Sequence, residues 1–288
     1  MEKHLNRQII NNVIITSILL MLANIYIIGT TDTCYADTIR INNNSNTLSR
    51  PKWLDSGPIV MVGNWDSAPI FRYRRGGNPS WYEEEYAKAH TEEAVIKLKE
   101  MGVTMAIIHF YKGFGLEAEK EQLEDARKLA DLCKKHGLRV GVYVGSTIGF
   151  ETFLLERPDA REWLVPDYMG KPVLWDWKQP FRKRVYFMHP EYRDYIKKVI
   201  KIAIEELKVD LIHFDNTSER AEGPIFFHPM AKDNFRSYLR ENFSAEYLKS
   251  RLGFSDVKCI EPPFYVGPSW AKLSTIDNPL VQMWTDFR

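Results

Sequence analysis

Cysteine is scarce, with three residues in a chain of 288, and Cys34 falls in an N-terminal stretch set apart from the rest. A scaffold held together by disulfides is excluded at that density, and Cys133, beside Leu129 and Ala130 on the apolar side of a helical pattern, reads as a buried free thiol. No close cluster of Cys and His has the spacing a zinc site needs, so no metal is expected. Charge of one sign is lacking too: 39 Lys and Arg stand against 38 Asp and Glu, a formal charge of +1, with no basic segment. A nucleic-acid partner is therefore not expected. No Gly-x-Gly-x-x-Gly follows the first strand-like run, which removes the main mark of a dinucleotide-binding sheet, and no organic cofactor is implied. What remains is 44% hydrophobic and 27% charged, an ordinary composition for a globular protein of one or two domains.

The first residues read as a targeting segment. Lys3, His4 and Arg7 precede an apolar run over 13–29, interrupted by Thr16, Ser17 and Asn24, and small residues follow at Cys34 and Ala36. Residues 1–36 are expected to be a signal peptide, cut between Ala36 and Asp37. The alternative is an uncleaved anchor, since the run is near the lower length for spanning a bilayer. Either way the chain is expected to be secreted or held at the cell envelope, with membrane contact only through this segment. Residues 37–57, rich in Asn, Ser and Thr, read as a flexible leader.

From Pro58 onward, short apolar runs alternate with amphipathic patterns. Strands are predicted at 58–66, 103–111, 138–146 and 209–216, with helices at 91–101, 119–136 and 190–208. Gly102 and Gly137 close the first two helices, and Pro190 opens the third. Strands apolar on both faces and joined by helices belong to a parallel sheet, so an α/β fold follows. Of the closed barrel and the open doubly wound sheet, the pattern favours a (β/α) TIM-type barrel over 58–288. A complete barrel takes about 250 residues and eight strands. About four β/α units are visible here, because the residues after Asn216 read as helices at 229–243 and 244–252, a Pro-rich stretch, and a last helix from Pro279. The expectation is an incomplete barrel, a fragment of a longer enzyme, and an uncovered sheet edge prone to self-association.

In a parallel barrel, reactive groups come from the C-terminal ends of strands. Those ends carry Asn64, Trp65 and Asp66, then His109, Tyr111 and Lys112, then Tyr143, Ser146 and Thr147, then Asp215 and Asn216. Asp215 is the sharpest candidate: a nearly continuous apolar strand delivers a carboxylate to the sheet's end, though an Asp there also suits a loop cap accepting backbone hydrogen bonds. His109 can meet a hydroxyl or be a satisfied strand-end histidine. The long segment before Pro190 carries Trp163, Trp175 and Trp177, whose indoles suit sugar faces or simply pack the loop, at least one of them doing the latter.

Several stretches go together as a set: 209–216 preceded by His189-Pro190-Glu191-Tyr192-Arg193-Asp194-Tyr195, then 108–115, 136–143, and the loop 160–173 with Trp163, Asp167 and Gly170-Lys171-Pro172. Over roughly 58–216 the chain resembles barrel glycoside hydrolases, nearest to the hypothetical glycosyl hydrolases related to the α-L-fucosidase and α-amylase barrels. The resemblance implies a carbohydrate substrate and Asp215 as the catalytic nucleophile, since an Asp ending the fourth strand has that role in such enzymes. Trp65, His109, Tyr143, Trp177 and Asn216 are the expected substrate-binding residues. The acid partner is not assigned, for Asp66, Glu151 and Glu219 lie within reach but match no motif. Two other readings stand beside hydrolysis: a carbohydrate-binding or degenerate barrel, and an inactive fragment.

Expression with the native N-terminus should give a mature chain starting near Asp37. Mass spectrometry finding Met1 or its neighbours on protein from the membrane fraction would favour the anchor.

Overall fold

The computed structural model describes residues 50–63, 80–175, 178–215, 227–263 and 278–287. Residues 1–49, on which the expected signal peptide and most of the expected leader fall, lie outside them, and among the described residues no helix is long and apolar enough to cross a membrane. A four-stranded sheet is built from β1 (Met61–Gly63), β2 (Met105–His109), β3 (Arg139–Gly145) and β6 (Leu211–Asp215), in the order β1-β2-β3-β6. All four strands fall within the runs predicted from apolar continuity. β1 and β2 are parallel, with Met61 beside Met105 and Gly63 beside Ile107. The later pairs keep that direction, as hydrogen bonds advance together along both chains: Arg139 N to Thr104 O and Gly145 N to Tyr111 O, then Asp210 N to Val140 O and Ser146 N to Asp215 O. These strands follow chain order without reversal.

The chain divides into two compact units whose boundary runs through the strands. The first takes residues up to His109, Asp125–Val142 and Leu207–Leu211. It holds α1 (Ser80–Ala89), α2 (Glu92–Glu100) and most of α3 (Lys120–Lys135). Thr91 caps α2 by accepting the Ala94 N–H, and Val95 and Leu98 are its buried face. Of the apolar stripe that the pattern over 119–136 predicts, Ala126, Leu129, Ala130 and Cys133 are buried and Leu123 is half-buried, and burial pushes the Cys133 thiol up to about 11. Such a thiol is inert, as its apolar setting suggested. Gly141 has a packing reason, because a Cβ there would sit 3.2 Å from Ile107 and Leu211. Ahead of β1, residues placed at the end of the leader are folded: Lys52–Asp55 form a 3₁₀ turn, and the Arg139 guanidinium lies 4.8 Å from the Trp53 ring centre.

The second unit takes Phe110–Glu124, Tyr143–Glu206 and the residues from Ile212. The sequence reads 147–189 as one long loop, and the structure corrects this. β4 (Ile148–Phe150) pairs antiparallel with β5 (Arg182–Arg184), followed on the β4 side by α4 (Glu151–Glu156) and a 3₁₀ segment Pro158–Trp163. Strands of three residues are too short for periodicity to announce. α5 (Pro190–Glu205) buries Tyr192, Tyr195, Val199 and Ala203, while Ile196 is only half-buried.

A core of the second unit gathers Val165 and Tyr186 of the excursion with α6 (Pro229–Asn242), α7 (Ala245–Leu252), a turn at Val257–Cys259 and α8 (Pro279–Phe287). His228 starts α6: Nδ1 accepts the Met230 N–H, Nε2 donates to Glu162 O at 3.2 Å, and the ring stacks on Tyr186 at 4.3 Å. That tautomer is neutral, and burial lowers the tendency of His228 to protonate. Phe235 is fully buried, with its ring 4.9 Å from Trp284 and 5.5 Å from Phe287. Phe235→Ala should destabilise the protein by about 3–5 kcal/mol. Urea unfolding measures the loss, and a cost under about 1 kcal/mol would mean that these helices do not form a shared core.

Candidate active site

The site is built where the strands of the second unit end. Beyond β2 the chain turns sharply at Gly113, whose φ of +95° suits glycine, and a Cβ there would stand 2.4 Å from Ile148 O. The turn leaves backbone N–H groups that a sheet would have satisfied, and Glu119 accepts them. Its carboxylate takes Lys112 N at 2.9 and 3.0 Å and Phe114 N at 2.8 Å. Phe150 N donates to Gly113 O at 3.0 Å, and the Phe114 and Phe150 rings stack at 3.8 Å. The loop is thus held on one side by a carboxylate and on the other by β4.

The Lys112 ammonium lies 3.8 Å from the centre of the Tyr143 ring, and the residue is 9% exposed. Tyr143, on β3, donates its hydroxyl hydrogen to Asp215 Oδ2 at 2.5 Å. Asp215 is the last residue of β6, and its carbonyl accepts both Ser146 N at 3.1 Å and Ser146 Oγ at 2.9 Å. Backbone and side chain of Asp215 are therefore both tied to β3. The His213 ring, two residues back on the same side of β6, stands 6.0 Å from that of Tyr143.

The residues singled out in the sequence separate as follows. Asp215 and Tyr143 are brought together. His109 ends β2 in the first unit, 4% exposed, with its ring 6.5 Å from that of Tyr86. Trp65, Trp177 and Asn216 lie outside the described residues, as do Asp66 and Glu219. Of the other tryptophans, Trp163 packs: it is 1% exposed, donates Nε1 to Glu191 Oε2 at 3.0 Å, and stacks on His189. Trp175 is half-buried, with the Arg182 and Arg184 guanidiniums 5.3 and 4.8 Å from its ring centre.

The remaining carboxylates are engaged elsewhere. Glu151 pairs with Lys183, and Glu156 accepts from Tyr195 Oη at 3.0 Å and from Glu117 N at 3.0 Å. Among the described residues, no three potential metal ligands gather. Glu119 escapes sequence reasoning, although the Gly113-Phe114-Gly115 turn just ahead of it signals backbone donors in need of an acceptor. A dyad of Tyr143 and Asp215 next to a buried cation can hold a carboxylate in a fixed orientation, which suits attack on an electrophilic carbon.

No protein-family profile and no curated protein matches the chain. Solved structures similar to it include an α-galactosidase from Lactobacillus brevis, at 14% identity, covering 55% of this chain and 20% of that one, with a TM-score of 0.38. A maltogenic α-amylase from Thermotoga neapolitana is 17% identical over 56% of this chain and 50% of that one, with a TM-score of 0.35. An α-amylase from Lactobacillus plantarum is 15% identical over 64% and 46%, with a TM-score of 0.36. The chain spans between a fifth and a half of those proteins. Likeness at that level leaves the assignment to the chain's own residues.

Complete burial pushes the Glu119 carboxyl up to about 7 from an ordinary 4.5, against the pull of the backbone N–H groups. A folded-state value above the unfolded one means that the folded chain binds the extra proton. Its contribution to stability is full below pH 4.5 and fades as pH rises through 7. The contribution is on the order of 3 kcal/mol at most. Compared with wild type, Glu119→Gln should show a flatter fall in stability between pH 5 and 7.5 by denaturant titration. Parallel curves for the two proteins would rule out a raised Glu119.

Proposed function

We propose that this chain is a glycoside hydrolase acting on an extracellular glycan, with Asp215 as its nucleophile on a (β/α) barrel of which four units are visible. The observation that carries the reading is the Asp215 carboxylate at the C-terminal end of β6, hydrogen-bonded at 2.5 Å by a tyrosine of the neighbouring strand. Reactive groups in parallel barrels occupy that end of the strands. The strand order supports a barrel over a doubly wound sheet, because a doubly wound sheet reverses at a switch point and these four strands do not. The N-terminal signal pattern supports action outside the cell or at its envelope.

In the reaction, an Asp215 oxygen attacks the anomeric carbon as the bond to the leaving oxygen breaks. A second, protonated carboxyl, about 5–5.5 Å away in retaining enzymes, gives its proton to that oxygen. Water activated by the same residue then cleaves the glycosyl ester and restores the free carboxylate. The expected sugar contacts at Trp65 and Trp177 fall outside the described residues, and an indole at either position would suit sugar C–H groups.

A second reading is a glycan-binding barrel without turnover. It is favoured by the fates of Glu119, Glu151 and Glu156, each bonded to a structural partner.

Wild type and Asp215→Asn should be compared on a panel of 4-nitrophenyl α- and β-glycosides of the common hexoses and 6-deoxyhexoses, with glycan binding and melting followed in parallel. The amide keeps the shape but cannot attack as an anion, so turnover should fall by roughly a thousandfold or more while binding and melting hold. Turnover that survives the substitution removes Asp215 from the chemistry, and a cost of about 1 kcal/mol would then mark it as a loop cap. Binding without wild-type turnover would establish the second reading.

A further inference from the structure

Three residues from three successive strand ends line up in the second unit: Lys112 after β2, Tyr143 on β3 and Asp215 on β6. We propose that Tyr143 is a positioning residue for the Asp215 carboxylate and that Lys112 acts on Asp215 through the Tyr143 ring. The inference rests on the reading of Asp215 as nucleophile and adds two residues to it.

A carboxylate that must attack one carbon has two equivalent oxygens and free rotation about its last bond. Fixing Oδ2 with the Tyr143 hydroxyl at 2.5 Å restricts that rotation and sets the carboxylate's orientation. The hydroxyl donates to a charged acceptor, which makes this the stronger class of hydrogen bond. Its strength also depends on the ring. The Lys112 ammonium, 3.8 Å from the ring centre and almost fully buried, draws electron density towards itself and makes the phenol a better donor. Burial matters, because an exposed ammonium at that distance would be screened by water.

The arrangement is built from the backbone outward. Glu119 holds the Lys112 N–H with both oxygens, and Gly113 admits the close approach of Ile148 O that no side chain would allow. The Lys112 backbone is thereby set in the loop from which its ammonium reaches the Tyr143 ring. The Ser146 contacts to the Asp215 carbonyl fix the other end of the same line. Movement of either end would break the geometry, and neither end is free to move.

The test is a double-mutant cycle in the full chain, with kcat and KM measured on whichever aryl glycoside the wild type cleaves. Tyr143→Phe should lower kcat about 10- to 100-fold with KM within about threefold, as expected for a charge-assisted contact used in the transition state. Lys112→Met should lower kcat by about 3- to 10-fold, the scale of a desolvated cation–π contact. The double variant should be no slower than Tyr143→Phe alone, because the through-ring action ends with the phenol hydroxyl. Independent, multiplying effects would overturn the through-ring action, and an unchanged kcat in Tyr143→Phe would overturn the positioning role. If Tyr143→Phe melts below the assay temperature, 3-fluorotyrosine at position 143 replaces it: a better donor should change kcat, and an unchanged kcat again counts against the proposal. A wild type that cleaves no glycoside instead sinks the nucleophile reading, and this inference falls with it.

Discussion

Parallel pairing is the constraint from which the rest follows. When β2, β3 and β6 run in one direction, their carboxyl ends arrive at the same edge, and the residues just beyond the last ladder bonds become neighbours. Tyr111, Tyr143, Gly145, Ser146 and Asp215 are joined there by main-chain hydrogen bonds before any side chain is considered. Antiparallel pairing would have sent alternate strand ends to opposite edges and separated Tyr143 from Asp215. The short contact between them is therefore a consequence of direction as much as of residue type.

The turn after β2 shows how a buried charge is used to shape a site. A sharp turn at a strand end leaves N–H groups without ladder partners, and a buried orphan donor is costly. Glu119 meets that need and is itself made costly by burial, so the loop and the carboxyl stabilise one another. The yield is a fixed backbone at Lys112, whose ammonium lies over the Tyr143 ring. Burial raises the Glu119 carboxyl while hydrogen bonds lower it, and burial wins because no solvent reaches the group.

The C-terminal helices contribute in a different way. Their apolar faces, with Phe235, Leu239, Leu248 and Trp284, close over Val165 and Tyr186 of the excursion that starts at β4. A segment of more than forty residues between β3 and α5 would be a liability if it had no core of its own. It is instead pinned by β4–β5 pairing, by Trp163 against His189 and Glu191, and by the His228 cap. β4 in turn braces the loop that carries Lys112, so the excursion supports the site from behind.

Much of this was legible in the sequence. Apolar runs at 103–111, 138–146 and 209–216, separated by helical stripes, pointed to a parallel sheet, the pattern of strands covered on both faces; β2 and β3 are so covered, whereas β6, at the edge of the described sheet, leaves Phe214 exposed. The same runs placed Tyr143 and Asp215 at strand ends, and the setting of Cys133 marked it as buried. Only the tertiary structure decided which strand ends touch, and in what geometry. Tyr143 and Asp215 lie 72 positions apart, and the hydrogen bond between them depends on register, which no local pattern encodes. It also decided that Trp163 packs, that His109 sits beside Tyr86, and that Glu119 serves the backbone, since each outcome turns on which polar groups are left without water. The short strands β4 and β5 were invisible for a related reason: three residues carry too little periodicity, and their pairing is held by the neighbours they meet.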